Sequence, residues 1–131
     1  MKIHLTSLTL LLYAQSAIAC TELDKALLLT SSSTAAPEAF VIFGDPPVSA
    51  PFEMSVTFCG SSGAEIAAMT FDAFMPAHQH GMNYRANVAD MGEQSFKISN
   101  VVFHMPGRWE LRIDAEAAGQ KFAYTGDVEV E

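Results

Sequence analysis

The chain is poor in positive charge, with only seven Lys and Arg among its 131 residues against fifteen Asp and Glu. Proteins that follow the phosphates of nucleic acid need a basic stripe, and anionic lipid surfaces attract basic rather than acidic segments. We therefore expect no nucleic acid partner and no charge-driven contact with a lipid surface. The excess of carboxylates favours solubility and attracts cations.

The sequence also lacks the common catalytic and nucleotide-binding motifs. It contains no glycine-rich phosphate loop before a helix, no H-E-x-x-H and no G-x-S-x-G. No serine stands out as a nucleophile, and Cys59 lies in a predicted strand with no neighbour that would activate its thiol. We therefore expect the protein not to be an enzyme.

Long apolar runs are absent except at the N-terminus, where residues 5–13 are almost wholly apolar. Lys2 precedes this run, and Ala17-Ile18-Ala19 follows it with the small-x-small pattern of a signal peptidase site. A spanning helix needs about 20 apolar residues, so this run is too short to be one. We predict that residues 1–19 are a cleaved signal peptide and that the mature protein is periplasmic or extracellular.

Cysteine is scarce, with Cys20 and Cys59 alone in the sequence. In an oxidising compartment such a pair favours a disulfide, which would close a loop of about 40 residues and add about 4 kcal/mol of stability. Cys20 directly after Ala19 also fits the attachment site of a bacterial lipoprotein, although Ala17 stands where such signals usually have Leu. Both routes stay open: a Cys20–Cys59 disulfide, or a lipid anchor on Cys20 with Cys59 buried and inert.

The mature chain has the size of one domain, because 112 residues remain after the signal peptide. It carries six Lys and Arg against fifteen Asp and Glu, a net charge of −9. Residues 20–37, rich in Ser, Thr and Ala, are expected to be an N-terminal lead-in, part of which can pair as an edge strand. Residues 38–131 are expected to form the folded domain, whose core is large enough to need neither disulfide nor metal.

The mature sequence shows strand alternation and no helical period. In two predicted strands the apolar positions are Phe52, Met54, Val56 and Phe58 in one, and Trp109, Leu111 and Ile113 in the other. Between the latter stand Arg108, Glu110 and Arg112, which we expect to face water. Gly and Pro turns separate such runs at a spacing of roughly ten residues. We predict an all-β fold, an immunoglobulin-like β-sandwich of six to seven short antiparallel strands.

Histidine is rare in the mature domain, yet all three histidines lie beside methionines. One group is Met75-Pro76-Ala77-His78-Gln79-His80-Gly81-Met82, and the other is His104-Met105. Imidazole nitrogen binds copper in either oxidation state, and thioether sulfur suits Cu(I). Zinc would normally add a cysteine or a carboxylate to the set. These residue types therefore indicate a copper site.

Strand geometry indicates which of these side chains meet. Alternate residues of an extended segment point the same way, so His78, His80 and Met82 are expected to converge on one ion. His104 and Met105 are adjacent and should face opposite sides, so one of them completes the site. We favour His104, because a third nitrogen also tolerates Cu(II). Such a site should bind copper less well below about pH 6, where imidazole is protonated.

Each of these residues also has a structural interpretation. Methionine is a common core residue, so Met75 and Met105 are either softer ligands or packing beneath the loop. A His-x-His in a loop is often two polar surface residues. On that interpretation the protein is a structural or protein-interaction domain of the cell envelope that binds no metal.

The two motifs resemble the YtkA-like domain family. Residues 71–82, F-D-A-F-M-P-A-H-Q-H-G-M, and residues 103–111, F-H-M-P-G-R-W-E-L, carry the resemblance, which spans about residues 40–114. Members are small exported or lipid-anchored bacterial domains with an immunoglobulin-like fold, often associated with copper handling or respiratory-oxidase assembly. The resemblance implies a β-sandwich that brings the two motifs together. The sequence-based hypothesis is an exported module that holds or delivers a copper ion, Cu(I) or Cu(II), in the cell envelope through a His/Met site. Another envelope protein that donates or receives copper is a candidate partner.

Overall fold

The computed structural model describes residues 25–60 and 65–131. The predicted signal peptide and Cys20 lie outside the described residues, so cleavage and lipid attachment stay predictions. Cys59 is buried at the end of a strand and is disulfide-bonded. Because its expected partner Cys20 is not described, the Cys20–Cys59 pairing also stays a prediction. Within the described ranges no helix is long and apolar enough to cross a membrane.

The described chain folds into ten strands. They are β1 (Leu27–Leu28), β2 (Thr30–Ser31), β3 (Glu38–Ile42), β4 (Phe52–Cys59), β5 (Ala68–Met75), β6 (His80–Gly81), β7 (Asn87–Gly92), β8 (Ser95–Val101), β9 (Gly107–Ala117) and β10 (Gln120–Val130). They form two antiparallel sheets of five strands, in the orders β1-β3-β4-β8-β7 and β2-β10-β9-β5-β6. The predicted all-β sandwich is confirmed.

Seven of these strands are longer than two residues, which agrees with the expected six to seven. Their order is β3-β4-β8-β7 in one sheet and β10-β9-β5 in the other, the arrangement of a seven-stranded immunoglobulin domain. The two-residue strands β1 and β2 belong to the lead-in, and each pairs at the edge of a different sheet. Strands this short contain too few residues for alternation to appear in the sequence.

Alternation decides which side chains fill the space between the sheets. In β9, Trp109, Leu111 and Ile113 are buried, Arg108 and Arg112 are exposed, and Glu110 is half-buried. In β4, Met54, Val56 and Phe58 are buried, and Phe52 at the start is half-buried. The predicted inward face of β9 is therefore confirmed. Trp109 is fully buried and stacks on Phe103, with ring centres 5.0 Å apart.

Two chain connections meet at one end of the sandwich. A four-residue turn, residues 76–79, joins β5 to β6, and residues 102–106 join β8 to β9. Strands β5 and β9 are antiparallel neighbours in which Phe74 pairs with Glu110. The end of β5 therefore lies beside the start of β9, and this register brings the two histidine-containing segments together.

Candidate functional site

The three histidines of the described residues gather at this end of the sandwich. The ring centres of His80 and His104 are 4.9 Å apart, and those of His78 and His80 are 5.8 Å apart. His80 thus stands between the other two. The sequence motifs that lie more than twenty residues apart along the chain form one cluster, as expected, and we name His78, His80 and His104 the histidine cluster.

His78 lies in the turn between β5 and β6 rather than in an extended segment, which corrects the expectation for residues 78–82. Its backbone N–H donates to the Met75 carbonyl at 3.2 Å, and Gln79 takes a φ of +54°. A proline at residue 76 favours this turn because proline fixes φ and cannot donate to a ladder. The His78 ring reaches His80 from the turn, and its side chain is exposed.

His80 is held in a strand. It pairs with Met75 across the β5–β6 ladder and is half-buried. Its Nδ1 lies 3.1 Å from the Gly81 carbonyl. A neutral imidazole in this position donates its Nδ1 proton to the carbonyl, which leaves the Nε2 lone pair for a metal. One backbone contact thus orients the ring and favours a tautomer whose Nε2 is free to accept a proton or a metal.

His104 is held by the segment that passes beside it. The Ser49 N–H donates to the Phe103 carbonyl at 2.8 Å, and the Ser49 hydroxyl donates to the His104 carbonyl at 3.3 Å. The Nδ1 atom of His104 is buried and has no hydrogen-bond partner in the described part of the chain. Buried polar atoms are nearly always satisfied, so a buried ring nitrogen without a partner is a candidate ligand atom.

Trp109 packs against His80 and His104, which we name the inner pair. Its ring centre is 5.8 Å from that of His80 and 5.4 Å from that of His104, both in edge-on arrangements. Its Nε1–H donates to the Met105 carbonyl at 3.0 Å, which closes the residues between them into a tight loop. Gly107 in this loop has a φ of +122°, a conformation that favours glycine. The sequence predicted Trp109 only as a core residue, because its contact with His80 depends on strand register.

The three candidate methionines lie differently from the histidines. Met75 is buried in the core, with its terminal methyl near Gly107, and it pairs with His80 in the ladder. Met82 and Met105 are partly buried and pack against the core. In this structure all three methionines therefore pack in or against the core, which is the structural role that methionine commonly has. Met75 is opposite His80 in the ladder, and Met105 is the chain neighbour of His104.

The spacing of the inner pair fits a shared metal ion. Two imidazoles that bind one ion through nitrogens about 2.0 Å away have ring centres between about 4.5 and about 6.4 Å apart, depending on the angle at the metal. The separations of His80 from His104, 4.9 Å, and of His78 from His80, 5.8 Å, both fall in this range. No three His, Cys, Asp or Glu side chains of residues 25–60 and 65–131 are already placed to hold an ion.

Comparison of the chain with protein-family models, with curated proteins and with solved structures finds no match. The resemblance to YtkA-like domains therefore stays a prediction based on the two motifs. The histidine cluster is therefore the feature of the structure that bears on function.

Proposed function

We propose that this protein is an exported copper-binding module that holds or delivers a copper ion in the cell envelope. The observation that supports this most is the inner pair, His80 and His104, whose rings lie 4.9 Å apart although one lies in β6 and the other in the connection between β8 and β9. A buried, unpartnered Nδ1 on His104 adds a nitrogen donor that the described residues do not otherwise use.

The donor set favours copper over harder cations. The histidine cluster supplies imidazole nitrogens, and Met75, opposite His80 in the ladder, is a candidate thioether, a soft donor suited to Cu(I). Calcium and magnesium require oxygen ligands. In the described residues, no carboxylate forms a hydrogen bond with any of the three histidine rings. When bound, copper would be held by ring nitrogens of His80 and His104. The net negative charge of the mature chain would raise the local concentration of cations.

Copper affinity of the mature protein tests this function. The His80→Ala/His104→Ala variant removes both inner nitrogens, and we expect its affinity for copper to fall more than about 100-fold, beyond the usual effect of losing an outer-shell partner. Competition with a chromogenic chelator under reducing conditions measures this for Cu(I). Circular dichroism of both proteins verifies that the variant folds.

Gln79→Asn is the matched control, because residue 79 lies between His78 and His80 in the same turn. Asparagine tolerates the positive φ at this position, so the turn should persist and the affinity should stay at the wild-type value. Equal affinity in the wild type and in the double histidine variant would contradict the proposal. The protein would then be a structural or interaction domain whose histidines only shape a surface.

Export is part of the proposal, because the signal-like residues 1–19 precede the domain. We expect the secreted protein to begin at Cys20. Its intact mass distinguishes the two routes, since a lipid adds a diacylglycerol and a disulfide removes two hydrogens. A mass that includes residues 1–19 would show that the chain is not processed.

A further inference from the structure

The three histidines differ in how firmly the fold holds them. His80 is fixed by the β5–β6 ladder and by the contact of Nδ1 with the Gly81 carbonyl. The backbone of His104 is fixed by Ser49. Both rings contact Trp109, which is fully buried. The inner pair is therefore preorganised on a rigid support.

His78 has a different environment. It projects from the four-residue turn, its side chain is exposed, and its ring contact in the described structure is with His80. Its separation from His80 is also the larger of the two. His78 is therefore the histidine of the cluster that solvent and a partner can reach most easily.

We propose that His78 is the displaceable ligand of this site, over which copper enters and leaves, while His80 and His104 hold the ion. This inference rests on the proposed copper-binding function. It also predicts where a partner protein binds. A partner that donates or receives copper would present its own imidazole or thioether over the turn formed by residues 76–79.

The proposed transfer is a ligand exchange without oxidation or reduction. A donor atom of the acceptor binds the ion as the bond between copper and His78 breaks. Bonds to His80 and His104 then break as further acceptor donors bind, and the ion leaves with its charge unchanged. Because His78 has no rigid support, its bond to copper is the one that an incoming ligand displaces most easily.

Equilibrium and kinetic measurements on single variants separate the two roles. The wild type, His78→Ala, His78→Gln, His104→Ala and the control Gln79→Asn are loaded with Cu(I) and mixed with an excess of a chromogenic chelator. Competition gives the affinity, and stopped-flow absorbance gives the rate of transfer. Two different replacements at residue 78 are used because a single new side chain could alter the turn itself. An effect that both variants share is due to the loss of the imidazole.

We expect both His78 variants to keep copper affinity within about tenfold of the wild type, which corresponds to about 1.4 kcal/mol. Their transfer should be faster, because the displacement step is removed. His104→Ala should lose more than about 100-fold in affinity, beyond the usual outer-shell effect. Gln79→Asn should match the wild type in both quantities.

Equal losses of affinity at residues 78 and 104, or slower transfer from the His78 variants, would overturn the division of roles while leaving copper binding intact. A wild-type protein that takes up no copper would instead refute the proposed function itself. The two failures are therefore distinguishable in one experiment.

Discussion

Nδ1 of His104 is the one buried side-chain nitrogen or oxygen without a partner in the described residues. Leaving such a group unsatisfied costs about 1–3 kcal/mol. This unpartnered nitrogen belongs to the ring whose centre lies 4.9 Å from that of His80. Strained or unsatisfied groups concentrate at functional sites, so this nitrogen is the residue-level feature that the copper proposal explains and the surface-loop interpretation does not.

Tyr124 gives a pH-dependent contribution to stability. It is 1% exposed, and its hydroxyl donates to the Pro37 carbonyl at 2.8 Å. Burial raises the pKa of Tyr124 from 10.0 to about 12. The unfolded chain therefore loses this proton at a lower pH than the folded chain does. Its stabilising contribution is complete below about pH 10 and is lost as the pH rises towards about 12.

Urea unfolding of the wild type and of Tyr124→Phe measures this contribution. At about pH 8 we expect the wild type to be more stable by about 1 kcal/mol, the value of a typical hydrogen bond. The difference should shrink as the pH rises above about 10, because only the wild type carries the Tyr124 hydroxyl. A difference that stays constant up to about pH 11.5 would show that folding does not perturb this hydroxyl.

Strand β9 links the core to the candidate site. Its alternating pattern places Trp109 between the sheets, where it contacts Phe103 on one side and the inner histidines on the other. A change in this element therefore affects stability and the site together, whereas a change on its outer face should affect neither.

Trp109→Ala tests this arrangement. Truncation of a buried tryptophan costs about 3–5 kcal/mol in free energy of unfolding, and urea denaturation followed by circular dichroism measures it. Arg108→Ala is the matched control on the outer face, where an exposed ion pair with Asp127 is worth at most about 1 kcal/mol. Equal effects of the two substitutions would show that the register of β9 is different.

The long elements could be predicted from sequence because alternation over β4 and β9 leaves one choice of buried face. The turn at residues 76–79 could not, because a left-handed Gln79 leaves no periodic signal. Strands β1, β2 and β6 are too short to alternate. The histidine cluster was predicted from residue types and spacing, whereas its support by Trp109 required the register between β5 and β9.

Charge is the feature of the whole molecule that bears most on function. Four surface ion pairs in the described residues, Lys97–Glu53, Arg108–Asp127, Arg112–Glu110 and Lys121–Glu116, use most of the few cations. Exposed pairs of this kind contribute little stability. The chain as a whole carries a large excess of carboxylates over cations. On the proposed function, this charge would attract cations and the histidine cluster would supply the donors that select among them.

X-ray absorption spectroscopy of the copper-loaded mature protein tests the central claim most directly, because it identifies the atoms bound to the metal. We expect nitrogen at about 2.0 Å, with the outer-shell scattering of at least two imidazole rings, and loss of that signal in His80→Ala/His104→Ala. A copper environment of oxygen alone, or an imidazole signal that the double variant retains, would contradict the assignment of the histidine cluster as a copper site.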